Sequence, residues 1–339
     1  MTSGPGSRSR GRRFGYGLLF GSLMLGAAAP PFYRLAANLS PIELSFLVSL
    51  CGAVCSGLLL AIRPGRDPFV VYVRDRGQLV LLLSWGIGSF TILVLALSAG
   101  THTLSASLTA LVYRTWPLML GVLAWPLLGE RLNARQWAGL GIGFLGVAGA
   151  YAWAGSLLFP ARDAALVGFL FVGALADAIA AAYSRKYQPA NMLSFVFLCN
   201  VIALACFSAL GGGTGLLHGA HLTRLDLLAV LFLGGPQNVG LTILFVVSYN
   251  FVDETAPVAL VYLASPFVTF GIDAIFLHEP ILWAYWLIAG GVLGGAIVMR
   301  SGRSRRRGPN PDPSPERALG PGRPIPAAPE DRLRPRVGP

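Results

Sequence analysis

Two ionisable side chains stand inside long apolar runs. Arg114 interrupts A-L-V-Y-R-T-W-P (Ala110–Pro117), and Asp177 interrupts the run 165–184. In apolar surroundings such groups cost several kcal/mol unless paired or hydrated, so they mark binding sites or proton relays. A guanidinium can hold an anionic group, and a carboxyl can carry a proton or partner a cation. The alternative is a buried structural pair that locks two helices. Four aromatic residues, Trp85, Tyr113, Trp116 and Tyr262, could stack a planar or apolar ligand. Tyr and Trp also collect at the edges of a bilayer; Trp85 and Tyr113 lie too deep for that, whereas Tyr262, nearer a helix end, fits it. Gln237 and Asn238 follow Gly234-Gly235-Pro236. A Gly-Gly-Pro break frees backbone carbonyls, and two adjacent amides can satisfy them or a ligand.

The elements that position these groups follow from composition. The chain has 339 residues, 54% apolar and 12% charged. A soluble domain carries about 25% charged residues. With so few charges, most of the surface must face lipid, which makes the bilayer the first partner. The net charge of +11 lies in the tails. Arg8, Arg10, Arg12 and Arg13 give +4; from Arg300 onward ten Arg face four acids, leaving +1 for everything between. Nucleic acid is therefore not an expected partner. Cys51, Cys55, Cys199 and Cys206 all sit in apolar runs and read as packing residues. His218 and His221 share an outer loop with no third ligand nearby, so neither a metal nor a cofactor is expected.

A membrane helix needs about 20 apolar residues. That length divides the chain into ten spans, at 14–36, 41–62, 78–99, 104–128, 136–154, 165–184, 191–210, 226–249, 256–277 and 283–300. Residues 1–13 and 301–339 read as disordered tails, the second holding ten of the 24 prolines. With the N-terminus inside, most Arg and Lys fall on the inner face, and Arg34, Arg162 and Arg224 fall outside. This asymmetry predicts a multi-pass protein of the cytoplasmic membrane with both termini cytoplasmic. The acidic Asp253–Glu254 loop departs from the pattern, but acids weigh little in it. Arg114 then lies ten residues into the fourth span and Asp177 twelve into the sixth, roughly 15 and 18 Å deep at 1.5 Å per residue.

One segment occurs twice. A-L-V-Y-R-T-W-P (Ala110–Pro117) leads to Glu130, Trp137, Gly141 and Gly146; A-L-V-Y-L-A-S-P (Ala259–Pro266) leads to Glu279, Trp286, Gly290 and Gly295, at a constant offset of 149. That offset contains five spans, an odd number, so the second copy must enter the membrane in the opposite direction. The expected fold is all-α and integral to the membrane, with ten transmembrane helices as two five-helix inverted-topology repeats, 14–154 and 155–300. Such repeats are associated with alternating access in secondary transporters.

The same residues resemble the drug/metabolite transporter superfamily in its EamA-type branch. The likeness rests on Pro117 followed by L-L-G-E-R-L (Leu127–Leu132) and the Gly-rich Gly139–Gly149, on Pro266, F-L-H-E-P (Phe276–Pro280) and Gly290–Gly295, and on Ala96–Ser107; it covers about 14–300. His278 and Arg114 depart from the usual pattern. The resemblance implies a secondary carrier of small metabolites or drugs, frequently proton-coupled and often outward, with a central cavity lined by both halves.

The remaining candidates are structural or gating. Pro117 and Pro266 are expected to kink the fourth and ninth spans. Glu130 and Glu279 end helices, on opposite faces; Asn133 with Gln136 can cap the fifth helix, and Pro280 can begin the tenth. Asp273 lies nearer the outer end of the ninth span. Glu43 is a first-turn acid favoured by the helix dipole. Asn200 suits an interhelical hydrogen bond. Gly139-x₃-Gly143 and Gly290-x₃-Gly294 are packing faces, for helix five on helix ten or for a homodimer, so monomer and homodimer both stay open. The expected function is transport without catalysis. An Arg beside aromatics suits a carboxylate with an apolar side chain, hence export of amino acids or related metabolites. The alternatives are proton-coupled efflux of cationic or aromatic drugs, with Asp177 as the cation's partner, and, from another class, an intramembrane enzyme.

Overall fold

The computed structural model describes residues 5–36, 38–62, 69–104, 106–129, 133–143, 145, 163–211, 222–252, 262, 265–272, 274–275, 286, 290–291, 293–294 and 297–298. Met1–Ser304 forms one unit, and a second, Arg305–Pro339, lies outside the described residues. Among the described residues the regular structure is helical. Helix α1 is Pro5–Leu35. Six further helices are long and apolar enough to cross a membrane: α2 Pro41–Ile62, α3 Arg76–Thr103, α4 Leu108–Leu128, α6 Ala164–Lys186, α7 Met192–Ala209 and α8 Arg224–Ser248. Between them residues 134–143 form α5, and Ser265–Ile272 forms α9. The chain is thus a multi-pass membrane protein. Of the ten expected spans, most of 283–300 and half of 256–277 fall outside the described residues, as does the end of 136–154.

Helix ends show why the elements start and stop where they do. Ser40 and Glu43 form a reciprocal box at the start of α2: the Ser40 amide donates to Glu43 Oε2 at 3.0 Å, and the Glu43 amide donates to Ser40 Oγ at 3.3 Å. Asp75 caps α3 by accepting from the Gly77 amide at 2.7 Å. Gly129 ends α4 in the left-handed conformation at φ 68°, which a residue with Cβ adopts at a cost. The chain then re-enters through a second reciprocal box, in which the Asn133 amide donates to Gln136 Oε1 at 2.8 Å and the Gln136 amide to Asn133 Oδ1 at 2.9 Å. Arg34, at the end of α1, donates to Thr101 O at 2.9 Å and so satisfies the last turn of α3.

Close approach of backbones holds the helices together, as expected where lipid competes equally for apolar side chains. A Cβ on Gly52 of α2 would collide with the Asn200 amide of α7, and one on Gly234 of α8 would meet Cys51 Cβ at 2.5 Å and the Val48 carbonyl at 2.8 Å. Asn200 donates to Val196 O at 2.9 Å within its own helix, which corrects the interhelical bond expected of it. Its amide packs on α2 through the missing Cβ of Gly52 instead. A Cβ on Gly294 would come within 3.9 Å of Ile142 of α5, whereas one on Gly143 would meet Leu118 of α4 at 2.8 Å, so Gly143 serves packing of α5 on α4.

Three irregularities shape the middle of the bundle. Helix α4 runs as two pieces, Ala106–Tyr113 and Trp116–Leu128. The break falls at Arg114–Thr115 and not at Pro117 itself, because a proline ring crowds the carbonyl four residues back, here that of Tyr113. Helices α3 and α8 each contain a widened π-helical stretch, Ser84–Leu93 and Leu233–Leu241. In the first, Thr91 Oγ1 donates to Gly86 O, five residues back, at 2.7 Å. The two stretches begin 149 positions apart, the offset of the sequence repeat. The same offset relates the start of α9 at Ser265 to the second piece of α4 at Trp116.

Candidate functional site

The π-helical stretches and the break in α4 turn their polar residues toward one cavity. It lies among α1, α3, α4, α6 and α8, with Tyr262 completing the wall. Trp85, Tyr113, Arg114, Trp116, Asp177, Gln237, Asn238 and Tyr262 all line it. Its volume is about 50 Å³. A small-molecule site is commonly about 300–1,000 Å³, so the cavity is contracted by comparison.

Arg114 is 2% exposed. Its guanidinium lies over the Tyr113 ring, 4.9 Å from the centroid. Room for it comes from α1, where a Cβ on Gly26 would stand 3.5 Å from Nη2. Nε and Nη2 are buried and have no hydrogen-bond partner. Asp177 is 9% exposed. Its Oδ1 accepts from Ser89 Oγ at 2.7 Å and its Oδ2 from Tyr113 Oη at 2.8 Å. A direct Arg114–Asp177 ion pair, one of two arrangements expected from their matched depth, is not formed. The two charges instead share Tyr113, which stacks on one and donates to the other. The buried guanidinium therefore keeps two donors for another group, at the place where the break in α4 exposes them to the cavity.

The α8 wall carries acceptors. Gln237 Oε1 and Asn238 Oδ1, in the π-helical stretch of α8, are buried without partners. Trp116 Nε1 is likewise buried and unpartnered, its ring edge-on to Phe245 at 5.9 Å and Tyr262 at 5.1 Å. Trp85 differs. Its Nε1 donates to Ala180 O at 2.9 Å and Ser184 Oγ at 2.6 Å, so its polar end is committed to α6 while its ring forms cavity wall. Tyr262 is 3% exposed and hydrogen-bonds Ser22 Oγ at 2.6 Å. It is thus a cavity residue, not one of an interfacial belt.

Comparison with known proteins gives this cavity its setting. The model of the EamA-like transporter family matches residues 13–152. Residues 13–152 belong to the EamA-like transporter family. The EamA branch is part of the drug/metabolite transporter superfamily, and the matched residues contribute α1, α3 and α4 of the cavity wall. A solved crystal structure shares the fold at a TM-score of 0.61 and 20% identity, over 86% of this chain and 96% of that one. The likeness in fold therefore extends well beyond the EamA match. Among curated proteins none matches.

Pro117 is the second residue of the second piece of α4, and Pro266 the second residue of α9. Glu130, Asp273 and Glu279 lie outside the described residues, as do His218 and His221. Sequence reasoning missed Ser89 and Ser22, because small hydroxyl residues are common in apolar helices and usually bond their own backbone. One signal could have found Ser89: the offset of 149 pairs it with Asn238. Cys51 and Cys55 are free thiols one turn apart, with sulfurs at 4.0 Å, and Cys51 packs on Gly234, as befits packing residues.

Proposed function

We propose that this EamA protein is a secondary carrier that moves small carboxylate-bearing metabolites, amino acids or close relatives, across the cytoplasmic membrane by alternating access, in the outward direction. Ten spans form two inverted five-helix repeats, 14–154 and 155–300, with both termini cytoplasmic. Support for the repeat comes from three features that recur at the same offset: the Tyr-x₃-Pro string, the π-helical stretch and the helix start before the proline.

The observation that carries the proposal is the Arg114 guanidinium, buried in the shared cavity with Nε and Nη2 unpartnered. A buried cation with free donors is costly. A carboxylate that accepts from those two nitrogens offsets the cost, and two parallel bonds to one carboxylate are the strongest form of such a pair. Trp116 Nε1 adds a third donor nearby, and Gln237 and Asn238 supply acceptors for an ammonium group. Phe90, Leu93, Val94 and Phe245 give an apolar wall for a side chain. Efflux of cations paired with Asp177 is favoured less, since each of its oxygens already accepts a hydrogen bond. Asp177 instead suits a proton-coupling role, linked to Arg114 through Tyr113.

Purified protein in liposomes tests this. Radiolabelled neutral and acidic amino acids should move under an imposed pH gradient, and the flux should vanish in Arg114→Ala. Unchanged flux in that variant, or flux restricted to amines lacking a carboxylate, refutes the assignment.

A further inference from the structure

Tyr113 and Tyr262 stand 149 positions apart, and each reaches out of its own half. Tyr113, on α4, donates to Asp177 on α6. Tyr262 meets Ser22 on α1. Under the two-repeat account, α1 and α6 are equivalent helices, so each bond ties the fourth helix of one half to the first helix of the other, although the offset pairs Asp177 with Ala28 and not with Ser22. The direction is also the same. Ser22 Oγ gives its proton to Leu19 O at 2.8 Å, which leaves Tyr262 as the donor to Ser22. A carboxylate can only accept, so Tyr113 is the donor to Asp177. Both tyrosines line the cavity, and both bonds are made in its contracted form.

We propose that these bonds are a pair of clasps, one for each face of the membrane, that release alternately. Ser22 and Ser89 are their positioning residues: Ser22 receives the Tyr262 hydroxyl, and Ser89 holds the Asp177 carboxylate where Tyr113 can reach it. With both clasps closed the cavity is contracted. Releasing the Tyr113 clasp parts α4 from α6, and releasing the Tyr262 clasp parts its helix from α1. Because the halves are inverted, these two movements open opposite faces. The clasps are unequal by chemistry, a hydroxyl acceptor on one side and a carboxylate on the other. The proposal rests on the carrier assignment above.

The test uses a single reporter cysteine, Leu241→Cys on the cavity wall, in a full-length background with Cys51, Cys55, Cys199 and Cys206 replaced by Ala. An impermeant maleimide is applied to right-side-out and to inside-out vesicles, and the ratio of the two labelling rates is read. Tyr262→Phe should shift the ratio about fivefold, equivalent to the ~1 kcal/mol of a neutral hydrogen bond. Tyr113→Phe should shift it the opposite way by about 10-fold or more, as for a bond to a charged group. Ser22→Ala should reproduce the sign of Tyr262→Phe, and Ser89→Ala that of Tyr113→Phe. Each phenylalanine variant leaves the other partner satisfied, Ser22 by Leu19 O and Asp177 by Ser89, so folding is expected to survive. A purely structural role for the tyrosines moves both ratios alike or not at all, and either outcome overturns the clasps. A reporter that labels from one face only in every variant contradicts the carrier assignment itself.

Discussion

Replacing Arg114 by leucine, the residue that position 263 carries in the second copy, separates a binding role from a structural one. In lipid an arginine at the centre of a helix costs about 2.5–3.5 kcal/mol. Arg114 recovers part of that from the Tyr113 ring, about 0.5–2 kcal/mol for a cation over an aromatic face, and makes no direct salt bridge to Asp177, whose oxygens accept from Ser89 and Tyr113. Arg114→Leu should therefore stabilise the protein without its solute, by about 0.5–3 kcal/mol. At roughly 2–4 °C per kcal/mol for a chain of this order of size, the melting temperature should rise by about 1–12 °C. Thermal unfolding in detergent, followed by intrinsic tryptophan fluorescence, measures it. The same variant should lose transport and also lose any added stability that solute confers on the wild type. A fall in melting temperature together with retained transport would refute the reasoning, because it would mean that Arg114 holds the helices together and binds nothing.

Asp177→Asn keeps one of the two acceptors, so that either Ser89 or Tyr113 must turn to accept from the new amide, and removes the titratable group; net solute flux in liposomes should be lost while membrane insertion, read by fractionation, is unchanged. Gly52→Ala should lower thermal stability by about 1–3 kcal/mol through overpacking against Asn200, and the double variant with Asn200→Ala should restore most of it. Trp85→Phe and Trp116→Phe should part company: the first loses two hydrogen bonds to α6 and with them stability, at little change in KM, whereas the second loses a free cavity donor and raises KM at near-normal stability.

The six spans found among the described residues were legible because each is a run of about 20 apolar residues, and the cavity residues because Arg, Asp, Gln, Asn and the aromatics are conspicuous within such runs. What the sequence left open is local backbone geometry. A π-helical turn differs from an α-helical one by a single shifted hydrogen bond, so Ser84–Leu93 reads as ordinary helix until its carbonyls are placed. The break in α4 sits one turn before the proline that causes it, which moves Arg114 from a mid-helix position to a turn. That displacement explains why matched depth suggested an ion pair while the folded chain puts Tyr113 between the charges. Asn200 was misassigned for a related reason: its amide bonds back to Val196, and only the missing Cβ of Gly52 reveals that it touches another helix.

Counterflow in proteoliposomes bears most directly on the central claim that one cavity presents a small carboxylate-bearing solute alternately to the two faces. Unlabelled amino acid trapped inside should accelerate uptake of the same labelled amino acid from outside, above the rate into empty vesicles, and Arg114→Leu should abolish the acceleration. Uptake that is indifferent to trapped solute, or chemical conversion of the solute without net movement, would contradict it.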